Sequence, residues 1–486
     1  MRIWSVALAG LLASASFAAG SVNLALTATA RSWEPNAVAS VPCALVNDGD
    51  ALTFWGSNEP TSDPPKDIGL EWPAPQRLSA VVARFHSLGY VPAADGWKLQ
   101  ARRDGQWADL PATIENPDCE WWTLRFPPVE TTAVRLLVTR YALQRVAVAE
   151  FEAYDGEPAR PALRRAPLLD GAFWAFHYEN WAQHYATDAA LAAEVDRAHA
   201  AGLDLIILYT ITGADGVFST AVPGTNLPQS PWWQGRDPVE AILARADTLG
   251  MQVYLSDTSP DGFDRPVAIE QAAAVTQTLT AYRRQSLARY QAHPSLTGYY
   301  INYECCPDNF GNDPAEPARL SQELAALVKA ECPRLRVVQP VGLYGWRESP
   351  DAPWATLTPD PLERFWRPFM QATPDVDAFM AIDGVGTGLA PLNYTDANQA
   401  RLRALCEETG KAMWTDVELA VMGDRYESMP LGRVAASLEV AARHADTIVG
   451  FCYINYMSPA NGRDLSAQLY RDYRAYRLGV RATARD

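Results

Sequence analysis

The sequence predicts two joined domains of different class, an all-β sandwich followed by an α/β (β/α)8 barrel. Three observations carry that expectation. Residues 22–155 alternate apolar and polar positions in short runs separated by turns; DGEPARPALRRAPLLDG then breaks the pattern with prolines and basic side chains; and residues 170–486 repeat a strand, loop and helix rhythm. At 486 residues the chain is long enough for two buried cores.

The sandwich rests on DIGLEW, LSAVVARF, WKLQARR, WWTLRF, AVRLLVTR and VAVAEFEAYDG, whose alternation suits strands with one face covered. Residues 156–169 read as the linker. Barrel strands are expected at 171–177, 203–210, 251–258, 296–303, 335–343, 376–383, 411–418 and 447–456. Between them DAALAAEVDRAHAAG, DPVEAILARADTLG and LGRVAASLEVAARHA have helical character, several such segments opening on Asp or Thr and closing on Gly. Eight such units favour a closed barrel over an open doubly wound sheet, and no GxGxxG or phosphate-binding loop is present.

The opening MRIWSVALAGLLASASFAAG combines one Arg, an apolar run and small residues at Ser16 and Ala18, which predicts a signal peptide over residues 1–19 and an exported chain. No later run is long and apolar enough to span a bilayer. A net charge of −16 argues against nucleic acid and polyanionic substrates and for a neutral partner. Seven cysteines permit disulfides in an exported protein, with Cys43 and Cys119 a candidate bridge in the first domain. Cys305 and Cys306 are adjacent, open to a vicinal disulfide, to other bridges or to free thiols. There is no HExxH or CxxC, and His177 and His184 are not at ligand spacing, so no catalytic cofactor is expected.

In a (β/α)8 barrel the chemistry sits where each strand gives way to its loop. The fourth strand runs through LTGYYINYE to Glu304, and the seventh runs through KAMWTDVE to Glu418. Two carboxyls facing one another across a cleft are what glycosidic cleavage needs, one to protonate the leaving oxygen and one to attack the anomeric carbon or activate water. Other strand ends contribute His177, Tyr209, Asp257, Tyr344, Asp383, Asn455 and Tyr456 as candidate substrate contacts. Strand parity puts Asn302 on the side of Glu304, and Asp416 on the side of Glu418. Trp174, Trp346, and Trp232 or Trp233 are the candidate rings for stacking on a pyranose.

The segments NLALTATARSW, VNDGDALTFWGS, DIGLEWPAPQRLSAVVARF and VAVAEFEAYDG resemble discoidin, or coagulation factor 5/8 type C, modules. That likeness implies a β-sandwich of the kind that binds carbohydrate in bacterial secreted enzymes, with a structural calcium at the DGD turn of Asp48 and Asp50. The second domain is similar to an uncharacterised family of glycosidase-like TIM barrels, on the motif GYYINYE, and to the clan A retaining glycoside hydrolases. The clan A likeness implies Glu304 as general acid/base and Glu418 as nucleophile. One position departs from it: clan A has Asn directly before the acid/base, where this chain has Tyr303, with Asn302 one step earlier. The expectation is a secreted glycoside hydrolase acting on a neutral poly- or oligosaccharide. An inverting hydrolase and a non-catalytic carbohydrate-binding protein are the alternatives.

Overall fold

The computed structural model describes residues 21–34, 41–56, 65–142, 145–176, 185–209, 219–257, 269–305, 307, 313–343, 359–422 and 426–483. The expected signal peptide, His177, Tyr344, Trp346 and Cys306 lie outside them.

The N-terminal region is an antiparallel sheet of β1 (Thr29–Arg31), β2 (Trp55–Gly56), β3 (Lys66–Phe85), β4 (Trp97–Arg103), β5 (Gln106–Asp109), β6 (Thr113–Ile114), β7 (Trp121–Val138) and β8 (Ala147–Tyr154). The runs DIGLEW and LSAVVARF belong to one long strand, β3, and WWTLRF and AVRLLVTR to another, β7; the two pair along their length with register breaks at Glu71/Gln76 and Leu78/Ala80. Such breaks let a long strand bend and wrap a core. That core includes Trp55, Ile68, Leu70, Trp72, Trp122 and Phe151. Cys43 and Cys119 are both free thiols, which corrects the expected bridge; Cys119 instead packs with Trp121 against barrel residues.

The second domain is a closed parallel barrel of β9 (Gly171–Ala175), β10 (Leu205–Tyr209), β11 (Gln252–Leu255), β12 (Leu296–Tyr300), β13 (Arg336–Gly342), β14 (Ala378–Ile382), β15 (Ala412–Glu418) and β18 (Thr447–Phe451). A small hairpin, β16 (Ala420–Met422) with β17 (Tyr426–Ser428), follows β15. The helices are α1 (Asp188–Ala200), α2 (Pro238–Leu249), α3 (Ile269–Tyr290), α4 (Ala315–Glu331), α5 (Pro359–Ala372), α6 (Leu392–Thr409), α7 (Leu431–His444), the short α8 (Tyr453–Tyr456) and α9 (Asp464–Thr483). Cap chemistry sets their ends: Thr187 Oγ1 accepts the Ala190 amide at 3.1 Å and Asp237 Oδ1 the Glu240 amide at 3.0 Å, while Gly250 ends α2 with φ 67°.

Register partners in a parallel sheet share a face, so the barrel interior can be followed strand by strand. Phe173, Tyr209, Tyr300 and Phe451 meet inside it, with Phe173 5.1 Å from Tyr300, 5.6 Å from Tyr209 and 5.4 Å from Phe451 between ring centres. Glu418 pairs with Phe451 and Asp416 with Val449, so both carboxyls are on the inward face, above Trp414, which packs edge-on against Tyr254 at 5.3 Å.

The two domains are joined by more than the linker. Cys119 and Trp121 form one apolar cluster with Val385, Leu392, Ala436 and Val440 of the barrel. Trp121 Nε1 donates to Asn393 Oδ1 at 2.6 Å, and the Leu392 amide donates to Glu120 Oε1 at 3.1 Å. Asn393 Nδ2 donates to the Phe85 carbonyl at 3.4 Å, and His86 meets the edge of Tyr394 at 5.6 Å.

Candidate active site

Four carboxyls gather at the C-terminal mouth of the barrel. Glu304 follows β12, half-buried, and its Oε1 accepts the Tyr209 hydroxyl at 3.2 Å. Glu418 ends β15, also half-buried; its Oε2 accepts the Thr387 amide at 2.8 Å and lies 3.4 Å from Thr387 Oγ1. Asp416 sits two residues below Glu418, 5 % exposed, and Oδ1 has no hydrogen-bond partner among the described residues. Burial, then the negative charges of Asp383, Glu418 and Glu304, raise its carboxyl well above the ordinary range. Tyr209, which donates to Glu304, packs at 5.5 Å on Phe451, the register partner of Glu418, so the structure brings both glutamates to the same end of the barrel.

Asp383 follows β14 on the parity that faces the helices, and its Oδ1 accepts the amides of Val385 at 3.2 Å and Glu418 at 3.4 Å. Burial raises its pKa, against which the two amides, Arg433 and Ser437 act. Burial and then the Asp383 charge raise Glu418, while the amides of Thr387 and Gly386 pull it back. Asp383 therefore holds the Glu418 backbone and the following loop instead of facing the barrel interior.

That loop, DGVGTGLA, was not singled out in the sequence. A Cβ on Gly386 would fall 1.9 Å from the Ala420 carbonyl oxygen and 3.0 Å from Glu418 Oε2, so a side chain there is excluded. Gly384 and Gly388 have φ of 64° and 71°. Three glycines at alternate positions after a strand-end Asp were the available signal.

Several expected contacts lie elsewhere. Asp257 is fully buried behind the barrel wall, ion-paired to Arg283 of α3 and accepting the Tyr299 hydroxyl at 3.0 Å. Tyr299 is the outward neighbour of inward Tyr300, so Asp257 has a structural partner outside the cleft. Trp174 is fully buried on the outward face, stacked on Tyr453 at 5.8 Å, and Trp233 packs on Phe176 at 5.7 Å. Both are core rings; Trp232 is half-buried. The last strand stops at Phe451, so Asn455 and Tyr456 belong to α8 and not to a strand end. The Asn455 carbonyl accepts from Asn461 Nδ2 at 2.9 Å and Ser466 Oγ at 3.3 Å, and Arg463 lies over the Tyr456 ring at 5.9 Å. Tyr303 turns outward, its hydroxyl receiving Arg283 Nη2 at 3.1 Å, which leaves the inward place to Asn302. Asn302 is fully buried, donates to the Asp257 carbonyl at 3.0 Å, and keeps Oδ1 without a partner among the described residues. Cys305 is a buried free thiol, pushed up by burial, and therefore no nucleophile.

In the N-terminal domain Asp48 and Asp50 form a local turn, Asp48 Oδ1 accepting the Asp50 amide at 2.9 Å and Oδ2 the Thr53 hydroxyl at 2.9 Å. Beside it the buried Glu150 has an Oε1 with no partner among the described residues, and burial, Glu152 and Asp48 push its carboxyl up to about 8. An orphaned carboxylate oxygen next to an acidic turn fits a hard cation such as calcium, which also takes backbone carbonyls. Among the described residues no three His, Cys, Asp or Glu side chains gather as a metal site.

A family model described as a domain of unknown function, DUF4434, matches residues 169–463. No curated protein matches the chain. Among solved structures, one described as a "putative alpha-L-fucosidase" from Bacteroides thetaiotaomicron is similar at TM-score 0.50 and 18 % identity, over 66 % of this chain and 98 % of that one. At this identity the likeness is one of fold. A family 32 carbohydrate-binding module of Clostridium perfringens NanJ, solved with galactose, aligns at TM-score 0.24 and 15 % identity over 28 % of this chain and 98 % of its own. A second Clostridium perfringens module, solved with GalNAc-beta-1,3-galactose, aligns at TM-score 0.22 and 19 % identity over 28 % of this chain and 100 % of its own. Among the described residues no helix is long and apolar enough to cross a membrane.

Proposed function

The chain belongs to the DUF4434 family, and we propose that it is a glycoside hydrolase acting on a neutral poly- or oligosaccharide, with Glu304 and Glu418 as its reacting carboxyls. The observation that carries this reading is geometric: Glu418 ends β15 on the inward face beside its register partner Phe451, and Tyr209, whose hydroxyl donates to Glu304, packs on that same Phe451 ring at 5.5 Å, at one mouth above an aromatic floor. Clefts of that kind suit a sugar ring, with an apolar face below and acids at the rim.

The surroundings of the two glutamates support roles opposite to those implied by clan A. A general acid must keep its proton near working pH, and burial beside Asp383 favours the protonated Glu418. The attacking role then falls to Glu304, whose Oε1 is oriented by the Tyr209 hydroxyl at 3.2 Å. In this scheme Glu418 protonates the leaving oxygen, Glu304 attacks the anomeric carbon, and Glu418 then takes a proton from the water that releases the sugar, a retaining sequence.

Hydrolysis across a glycan panel tests the assignment. Glu304→Gln and Glu418→Gln should each lower kcat by about 10²–10⁴-fold. Full activity in both variants refutes the reading. Glu418→Gln should lose far less on an aryl glycoside whose leaving group needs no proton, and the same rescue in Glu304→Gln instead restores the clan A roles. Residues 1–19 are proposed to direct export and be removed, and the Asp48 turn with Glu150 to hold a structural calcium in a carbohydrate-binding module.

A further inference from the structure

We propose that the N-terminal domain is a working part of the active site, because the end of its sheet where β3 finishes and β7 begins clamps the segment that holds the Glu418 carboxyl. The inference rests on the reading of Glu418 as a reacting group and concerns what positions it. Three consecutive residues at the start of α6 are gripped from the other domain. The Leu392 amide goes to Glu120 Oε1 (3.1 Å), the Asn393 side chain to Trp121 Nε1 (2.6 Å) and to the Phe85 carbonyl (3.4 Å), and the Tyr394 ring to His86 (5.6 Å). Glu120 is 1 % exposed, so its bond to the helix N-terminus is made away from competing water.

The clamp is continuous with the carboxyl. Val385 lies in the same apolar cluster as Cys119 and Trp121, and its carbonyl receives Arg433 Nη2 at 2.6 Å. The loop between Val385 and α6 is closed on itself, Gly388 amide to Val385 carbonyl at 3.2 Å and Ala390 amide to Gly384 carbonyl at 2.9 Å. One residue beyond Gly386, which has no room for a side chain, the Thr387 amide meets Glu418 Oε2 at 2.8 Å. A loop with three glycines has little stiffness of its own. Here its two ends are held, at Asp383 by the barrel and at Leu392 by the sandwich. The Trp121 ring also meets the guanidinium groups of Arg84 and Arg443, 5.0 and 5.3 Å from its centre. Glu120 and Trp121 are positioning residues: neither touches the cleft, and both act through Leu392, Asn393 and the glycine loop.

The test uses the full-length protein with Trp121→Phe, which keeps most of the ring and loses the donor to Asn393, and Glu120→Gln. Each should speed hydrogen exchange at the Thr387 amide at least tenfold, lower kcat about tenfold with KM within twofold, and move the alkaline limb of the kcat–pH profile. Should Trp121→Phe fail to fold, Asn393→Ser removes the same bond from the barrel side. Unchanged exchange at Thr387 together with an unchanged kcat and pH profile overturns the proposal. Glu418→Gln in the same assays separates the two ideas. If that variant stays fully active the hydrolytic reading fails, whereas exchange at Thr387 still decides whether the sandwich fixes the loop.

Discussion

Asp257 and Asp416 are the same residue type, both buried and both at C-terminal ends of barrel strands, yet they sit on opposite sides of the barrel wall. Asp257 faces the helices and is paired with Arg283 and the Tyr299 hydroxyl. Asp416 faces the interior, and the charges that act on it are Asp383, Glu418 and Glu304. A buried carboxylate with an arginine is a piece of architecture; a buried carboxyl whose charged neighbours are other carboxyls is unfavourable for folding and is what a reacting or binding site tolerates. The difference separates structural from functional acids better than burial or strand position does.

The sharpest way to break the comparison is at the ion pair. Arg283→Met leaves the Asp257 carboxylate buried without its counterion and should cost about 3–5 kcal/mol, read as a fall in the urea midpoint of the barrel. Asp257→Asn added to it should restore most of the loss, since two neutral side chains then replace the pair. A loss below about 1 kcal/mol for the single variant would mean that Asp257 has access to water or another cation, and the contrast with Asp416 would dissolve.

Asp416 should respond with the opposite sign. Its folded pKa is raised above the unfolded value of about 3.9, so wild-type stability declines as pH rises from there toward the folded pKa. Asp416→Asn carries no such dependence. Its stability advantage should be absent below about pH 4 and grow steadily as pH rises above that, while hydrolysis falls. A variant destabilised equally at every pH would place a missing hydrogen bond, not a titrating carboxyl, at that position.

The sequence carried the barrel because each strand announces itself as an apolar run followed by a loop, and it carried Glu304 and Glu418 because both end such runs. It could not separate Asp257 from Asp416. The β9, β10 and β14 strands are buried on both faces, every residue of GAFWA, LIILY and AFMAI included, so alternation in the sequence does not reveal which side chains point inward. The overlong reading of TIVGFCYINY has a related cause: a β-rich composition hid the turn of helix at Tyr453–Tyr456, whose surroundings are fixed by Asn461, Arg463 and Ser466 from later in the chain. The contact of CEWW, at the entry to β7, with the start of α6 joins positions more than 270 apart and has no local signature.

Trp174 offers the finest test of the inward–outward rule, because its expected effect is small and its two possible roles predict different readouts. It alternates with Phe173, the inward ring of the aromatic floor, and stacks on Tyr453 at 5.8 Å with no exposed surface. As a core ring it should tolerate Trp174→Phe at about 1 kcal/mol, since the aromatic contact survives in part and only volume is lost. KM for a hydrolysed glycan should stay within twofold. Phe173→Leu, one residue earlier and on the other face, should raise KM severalfold by removing a ring from beneath the sugar at a similar stability cost. If the two variants exchanged these behaviours, the register that puts Glu418, Asp416 and Phe173 on one face would be wrong, and the cleft would have to be rebuilt around the other set of side chains.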